Sequence, residues 1–188
     1  MMTKEVNAEL KRLGWHLFSS NGERWGEYEL PDRYMTMFYK VKHLVSGQRL
    51  EIRPGVSTRS FQIVYTIIEA GNGYAPPLDF YHVPEKGSLV ESITPYYIET
   101  LLSPAIEWAR SRDIVAPIKK MLDFPTSAKG DGPIRHFTAL AMTGDIEKLQ
   151  YYQSSFAAGD RLGFVPYVDL SYIERAIKVA EEYVNKKQ

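Results

Sequence analysis

The chain has 188 residues, 44% of them hydrophobic and 24% charged, with 23 basic residues against 23 acidic ones and no cysteine. That length supports a hydrophobic core without staples, and the lack of cysteine excludes disulfides, cysteine-based zinc or iron–sulfur sites and thiol nucleophiles. Zero net charge removes any general attraction to nucleic acid or an anionic membrane and weakens the repulsion that keeps copies of a protein apart.

In chain order, the first element predicted is a helix over residues 4–13, capped by Thr3, with Val6, Leu10 and Leu13 on one face and Gly14 at the left-handed end. Residues 15–19 and 25–30 read as strands about an Asn21-Gly22 turn. Residues 34–45 form a clearer strand, because Met35, Met37, Tyr39 and Val41 alternate with Thr36, Lys40 and Lys42. After a turn at Ser46-Gly47, Leu50 and Ile52 alternate with Arg49, Glu51 and Arg53, and this strand is expected to stop at a Pro54-Gly55 turn. Residues 61–68, FQIVYTII, are apolar on nearly both faces and are placed as a central strand, covered in part by a helix. Residues 78–83, set between prolines, are the expected edge strand.

Beyond about residue 90 the apolar period becomes helical. Thr94-Pro95 opens a helix whose stripe of Ile98, Leu101, Leu102, Ala105 and Ala109 passes through Pro104, which predicts a kink or a restart. Asp113 caps a helix bearing Val115, Ile118, Met121 and Leu122; the TSAKGDG stretch that follows is the most loop-like in the chain. Pro133 opens a helix that buries Ile134, Phe137, Leu140 and Ala141 and ends at Gly144. Asp145 caps the next, which bears Ile146, Leu149 and Phe156 up to Gly159. The last helix starts at a Ser171–Glu174 capping box, buries Ile173, Ala176, Ile177 and Ala180, and turns Glu174, Lys178, Glu182 and Lys186 to solvent.

These elements predict an α+β protein: an N-terminal helix, a five- or six-stranded mostly antiparallel sheet, and a C-terminal half of about five helices. The expected organisation is a single domain over residues 1–188, sheet-rich over 1–92 and helical over 93–188, with two lobes parting near residue 92 as the alternative. No repeat of 20 to 50 residues is present. The ALAMTGDIEKL segment resembles the helix-turn-helix part of one ankyrin repeat and is read as a helix hairpin. The helix followed by antiparallel strands over roughly the first 70 residues resembles the opening of type III secretion chaperones, which implies a dimeric α+β protein.

No P-loop, GxSxG elbow, HExxH, SxxK, EF-hand ladder or kinase signature occurs. Gly71-Asn72-Gly73 lacks the third glycine of a dinucleotide loop, Pro76 standing in its place, and is read as a turn. His16, His43, His82 and His136 are far apart in sequence, so no metal motif is visible, although Asp79 and His82 could meet at a strand end.

Two polar groups are candidates for binding. Asp131, Arg135 and His136 flank a helix N-terminus, whose amides and Arg135 could receive an anion; the alternative is a cap by Asp131 with the others in solvent. Asp160, Arg161 and Tyr167 lie in a glycine-punctuated loop that is either functional or a structural corner, with Asp160 and Arg161 tying backbone and Phe164 and Tyr167 plugging the core. The candidate binding residues are therefore Arg135, His136, Asp160, Arg161 and Tyr167; no cofactor, metal or catalytic residue is assigned.

The adjacent pairs Tyr96-Tyr97 and Tyr151-Tyr152 should each turn one ring inward and one outward, and Trp25 and Tyr28 sit beside a hairpin tip as possible contact aromatics. The function expected is a protein-binding module, of adaptor, chaperone-like or immunity type, with a protein partner or self-association and neither nucleic acid nor membrane as partner. The alternative is a small metal-independent enzyme using Asp, His and Arg groups in a pocket. With no run of about 18 apolar residues and no signal-peptide core in residues 1–14, the expected location is the cytoplasm.

Overall fold

The computed structural model describes residues 1–20, 22–71, 75–82 and 88–185. Its elements run α1 (Thr3–Arg12), β1 (His16–Ser20), β2 (Glu23–Glu29), β3 (Tyr34–Leu44), β4 (Gly47–Ser57), α2 (Arg59–Glu69), β5 (Asp79–Phe80), α3 (Pro95–Ser111), α4 (Val115–Leu122), α5 (Gly132–Thr143), α6 (Ile146–Ala157) and α7 (Leu170–Asn185). The chain is α+β, and it divides into two compact units. One comprises Met1–Thr58 with Pro77–Ile114, the other Arg59–Pro76 with Val115–Gln188.

The first unit is an antiparallel sheet in the order β1-β2-β3-β4-β5, with α1 and α3 on one face. The alternation in β3 sends Met35, Met37 and Tyr39 to that face, where they meet Leu50 and Val56 of β4, Val6 and Leu10 of α1, and Ile98, Leu102, Ala105 and Ala109 of α3. α1 begins one residue earlier than its sequence suggests. Met2, not Thr3, is the flanking residue, and its amide donates to Glu5 at 2.6 Å. Arg12 joins α1 to α3 by donating to both Glu9 (2.6 Å) and Glu99 (2.5 Å). Thr94 caps α3 as expected, accepting from the Tyr97 amide at 3.1 Å. α3 then runs unbroken through Pro104, so the restart does not occur.

Two strand expectations are corrected. β4 does not stop at Pro54-Gly55 but continues to Ser57, pairing Pro54 with Met37 and Gly55 with Thr36. Proline is tolerated there because it need only accept: its carbonyl takes the Tyr81 amide at 3.0 Å. The larger correction concerns residues 61–68, which form α2 and not a central strand. A run this apolar fits either period, and the helix buries Phe61, Val64, Tyr65 and Ile68 while leaving Ile63 and Ile67 exposed. The edge strand is observed as β5 against β4; Val83 and Pro84 lie outside the described residues. So do Asn21 of the hairpin turn, Asn72 and Gly73 of the expected loop turn, and Lys186 of the last helix.

In the second unit α5 is the central helix, buried along Ile134, His136, Phe137, Thr138, Ala139, Leu140 and Ala141 and packed by α2, α4, α6 and α7. The predicted α5–α6 hairpin is present: Gly144 takes φ +76, and the Asp145 carboxylate accepts from the Lys148 amide at 3.1 Å. At α7 the capping group is Asp169, not Ser171. Its carboxylate accepts from the Ser171 amide (2.9 Å) and hydroxyl (2.6 Å), which hold it below the usual carboxylate range.

Gly47, at the β3–β4 turn, has φ +139, and a Cβ there would come within 2.3 Å of the Val90 carbonyl oxygen. The approach is close because Gln48 and Val90 exchange amide–carbonyl bonds of 2.7 and 2.9 Å. Gly47→Ala is therefore expected to open this bridge and to cost about 1–3 kcal/mol. Faster hydrogen exchange at the Gln48 and Val90 amides checks it.

Candidate functional site

All five polar residues singled out from the sequence fall in the second unit, and each is engaged with its surroundings. On α5, Arg135 donates to Asp131 at 2.6 Å and is largely buried. His136 lies in the core and does not join Arg135 at the helix N-terminus. Its Nδ1 is 2.8 Å from the Met121 carbonyl, which can only accept, so Nδ1 carries the proton and Nε2 accepts from the Tyr152 hydroxyl at 3.0 Å. Burial pushes the imidazole pKa down, partly opposed by the Met121 carbonyl.

In the loop after α6, Asp160 accepts the Leu162 amide at 2.8 Å. Arg161 donates to the carbonyls of Val165 (3.0 Å), Pro166 (3.2 Å) and Val168 (2.5 Å), with its guanidinium 5.3 Å from the centre of the Phe156 ring. Phe164 is buried against Phe137 and Tyr152. Tyr167, by contrast, stays about half exposed and donates to the Gly130 carbonyl. With Thr126 donating to the Leu162 carbonyl at 2.5 Å, the loop before α5 and the loop before α7 are laced together. The same neighbourhood reaches α2, where burial, aided by Glu69 and Asp131, raises the Tyr65 phenol pKa. The geometry is that of a tied corner, in which acid, base and guanidinium each hold backbone or one another.

The first unit carries a different kind of surface, on the sheet face opposite α1 and α3. Strand register places Phe18 across from Trp25, Trp25 across from Phe38, and Phe38 across from Arg53. Phe18 and Trp25 stack at 5.7 Å, Trp25 and Phe38 lie 6.3 Å apart, and the Arg53 guanidinium sits 4.7 Å from the centre of the Phe80 ring. Each strand thus contributes one side chain to a row crossing the sheet, with Phe18 45% exposed at its end.

Beside this row the sheet opens. β2 pairs with β3 only as far as Trp25 and Phe38, while Glu23 and Arg24 stay paired with β1, so, among the described residues, 39–44 of β3 are paired on the β4 side alone. A groove of about 570 Å³ occupies the gap, bordered by Glu23, Arg24, Phe38, Lys40, Lys42 and Arg53. Lys42 is tied to Glu51 at 2.7 Å; among the described residues Arg24, Lys40 and Arg53 form no ion pair.

Sequence reasoning flagged Trp25 here but missed Phe18, Phe38, Arg24, Lys40 and Arg53. A usable signal existed, since Phe18 and Trp25 are equidistant from the hairpin turn and must face each other. Tyr28, flagged with Trp25, belongs to the covered face, its ring 5.4 Å from Trp15. In the tyrosine pairs, Tyr96 and Tyr151 are exposed, whereas Tyr152 is buried and Tyr97 half-buried. Asp79 is engaged by Arg112 at 2.6 Å.

Residues 2–181 match the model of a family described as a family of unknown function, DUF6990. The chain belongs to DUF6990. No curated protein and no solved structure matches it. Among the described residues, this DUF6990 chain has no helix long and apolar enough to cross a membrane and no cluster of three or more His, Asp or Glu side chains able to hold a metal ion.

Proposed function

We infer that this DUF6990 chain is a cytoplasmic protein-binding module, of adaptor, chaperone-like or immunity type, and that it meets its partner through the part of the sheet face opposite α1 and α3 that carries Phe18, Trp25 and Phe38. The observation that carries this reading is the aromatic and cationic row from Phe18 to Phe80 bordering an open groove. Stacked, part-exposed aromatics beside arginine are the side chains that supply most binding energy at protein contacts, because they bury large area at little entropic cost. The enzymatic alternative draws less support, since His136 has both ring nitrogens engaged in the core and Asp160 and Arg161 hold backbone.

The test compares affinity capture by the wild-type chain, Phe18→Ser, and Tyr151→Ser as an exposed control on the other unit. One protein, or a second copy of the chain, should be retained by wild type and Tyr151→Ser and reduced roughly tenfold by Phe18→Ser. Equal retention by all three sinks the assignment of this face.

A further inference from the structure

We propose that the groove takes an extended acidic segment of a partner protein, which adds to the free edge of β3 as a further strand. The proposal rests on the sheet-face reading above and specifies how that face is used. Among the described residues, 39–44 of β3 have a strand neighbour on one side only, so a row of backbone donors and acceptors faces the groove. The opposite border of this hairpin is already occupied, because Val90 bridges Gln48 on β4. β1 is also an edge, but the groove with its cationic walls lies along β3.

Charge decides the occupant. Lys40 and Lys42 project from alternate positions of the free edge on the same face as Phe38 and Arg53, while Arg24, one residue from Trp25, lines the groove from the other side of the sheet. Glu23 and Glu51 oppose these four cations, and Glu51 is shared between Lys42 at 2.7 Å and Arg49 at 3.9 Å. A strand with carboxylates at every second position meets those lysines directly. A second copy of the same edge would set lysine against lysine, which disfavours self-pairing and guards the edge in the free protein. Apolar ends fit as well: Leu44, the last residue of the free edge, and Val45 just past it are exposed, and Phe38 stands at the other end. Single-stranded nucleic acid also uses cations and stacked aromatics, but the two glutamates in the groove repel phosphates and the open backbone edge gives them nothing specific.

The experiment titrates the full chain with a blocked octapeptide of alternating Asp and Val, followed by fluorescence anisotropy and amide hydrogen exchange. Binding should slow exchange at residues 39–44. N-methylation of alternate peptide amides should weaken it roughly tenfold, because a strand partner must donate. Lys40→Glu should weaken it by a similar factor of about ten, with Lys178→Glu on α7 unchanged.

Failure to bind overturns the proposal. So does binding that is indifferent to N-methylation and leaves residues 39–44 unprotected, and so does tighter binding of an oligothymidylate than of the peptide. In each of those cases, loss of partner capture in Phe18→Ser would still uphold the sheet face as the contact surface. Unchanged capture in Phe18→Ser removes that broader reading instead.

Discussion

Ile68→Ala is expected to lower the free energy of unfolding by about 2–5 kcal/mol, while its neighbour Ile67→Ala changes it by no more than about 0.5 kcal/mol. Ile68 is 0% exposed and Ile67 46% exposed on α2, so only the first substitution opens a cavity. At the second, alanine's better helix propensity offsets the small loss of apolar contact. The same contrast should separate Val64 from Ile63. A strand buried on both faces would make all four substitutions costly. Denaturant titration of the four variants therefore tests the helix directly, and four similar losses would overturn it.

The second large effect concerns His136. His136→Phe keeps the ring volume but leaves the Met121 carbonyl and the Tyr152 hydroxyl without their partner. Two buried groups orphaned at about 1–3 kcal/mol each give an expected loss of about 3 kcal/mol. Adding Tyr152→Phe should recover part of it, since the orphaned hydroxyl goes too; strict additivity in the double-mutant cycle would deny the bond.

The same residue sets a pH dependence. Burial lowers the folded imidazole pKa below the ordinary 6.5, so the unfolded state binds more protons in the interval beneath that value. Stability from this group is whole above about pH 6.5 and is lost as pH falls through the interval towards the folded pKa. Wild type should be less stable at pH 5.5 than at pH 7.5, and His136→Phe should show a smaller difference. Equal differences would mean that His136 does not titrate as a buried neutral ring.

Legibility in the sequence followed the number of independent local signals. β3 was readable because Met35, Met37, Tyr39 and Val41 alternate with Thr36, Lys40 and Lys42, a period that only a strand matches. The α5–α6 hairpin was readable because glycine tolerates the left-handed turn at Gly144 and the adjacent Asp145 can cap. The first residues of α1 and α7 were misplaced by about one or two positions, because several neighbouring polar groups could each cap and the local chain geometry chose among them. Residues 61–68 are ambiguous in sequence because two polar residues, Gln62 and Thr66, among six apolar ones are too few to fix a period.

The candidate surface was less legible still. Phe18, Phe38 and Arg53 come from different strands, and each alone is an ordinary strand residue; only register sets them in a row. The groove depends on where β2 parts from β3, which no composition or spacing encodes. His136 looked like a surface residue beside a helix start, and its burial became visible only when Met121 and Tyr152 arrived from other helices.

By itself, then, the sequence determined the α+β class, the cysteine-free core, most strand and helix positions and the local caps, because each of these follows from interactions within a few residues. The tertiary structure alone decided that residues 61–68 are helical, which face of the sheet α1 and α3 cover, and which of the nominated polar groups hold the fold, because those outcomes depend on partners far apart in the chain.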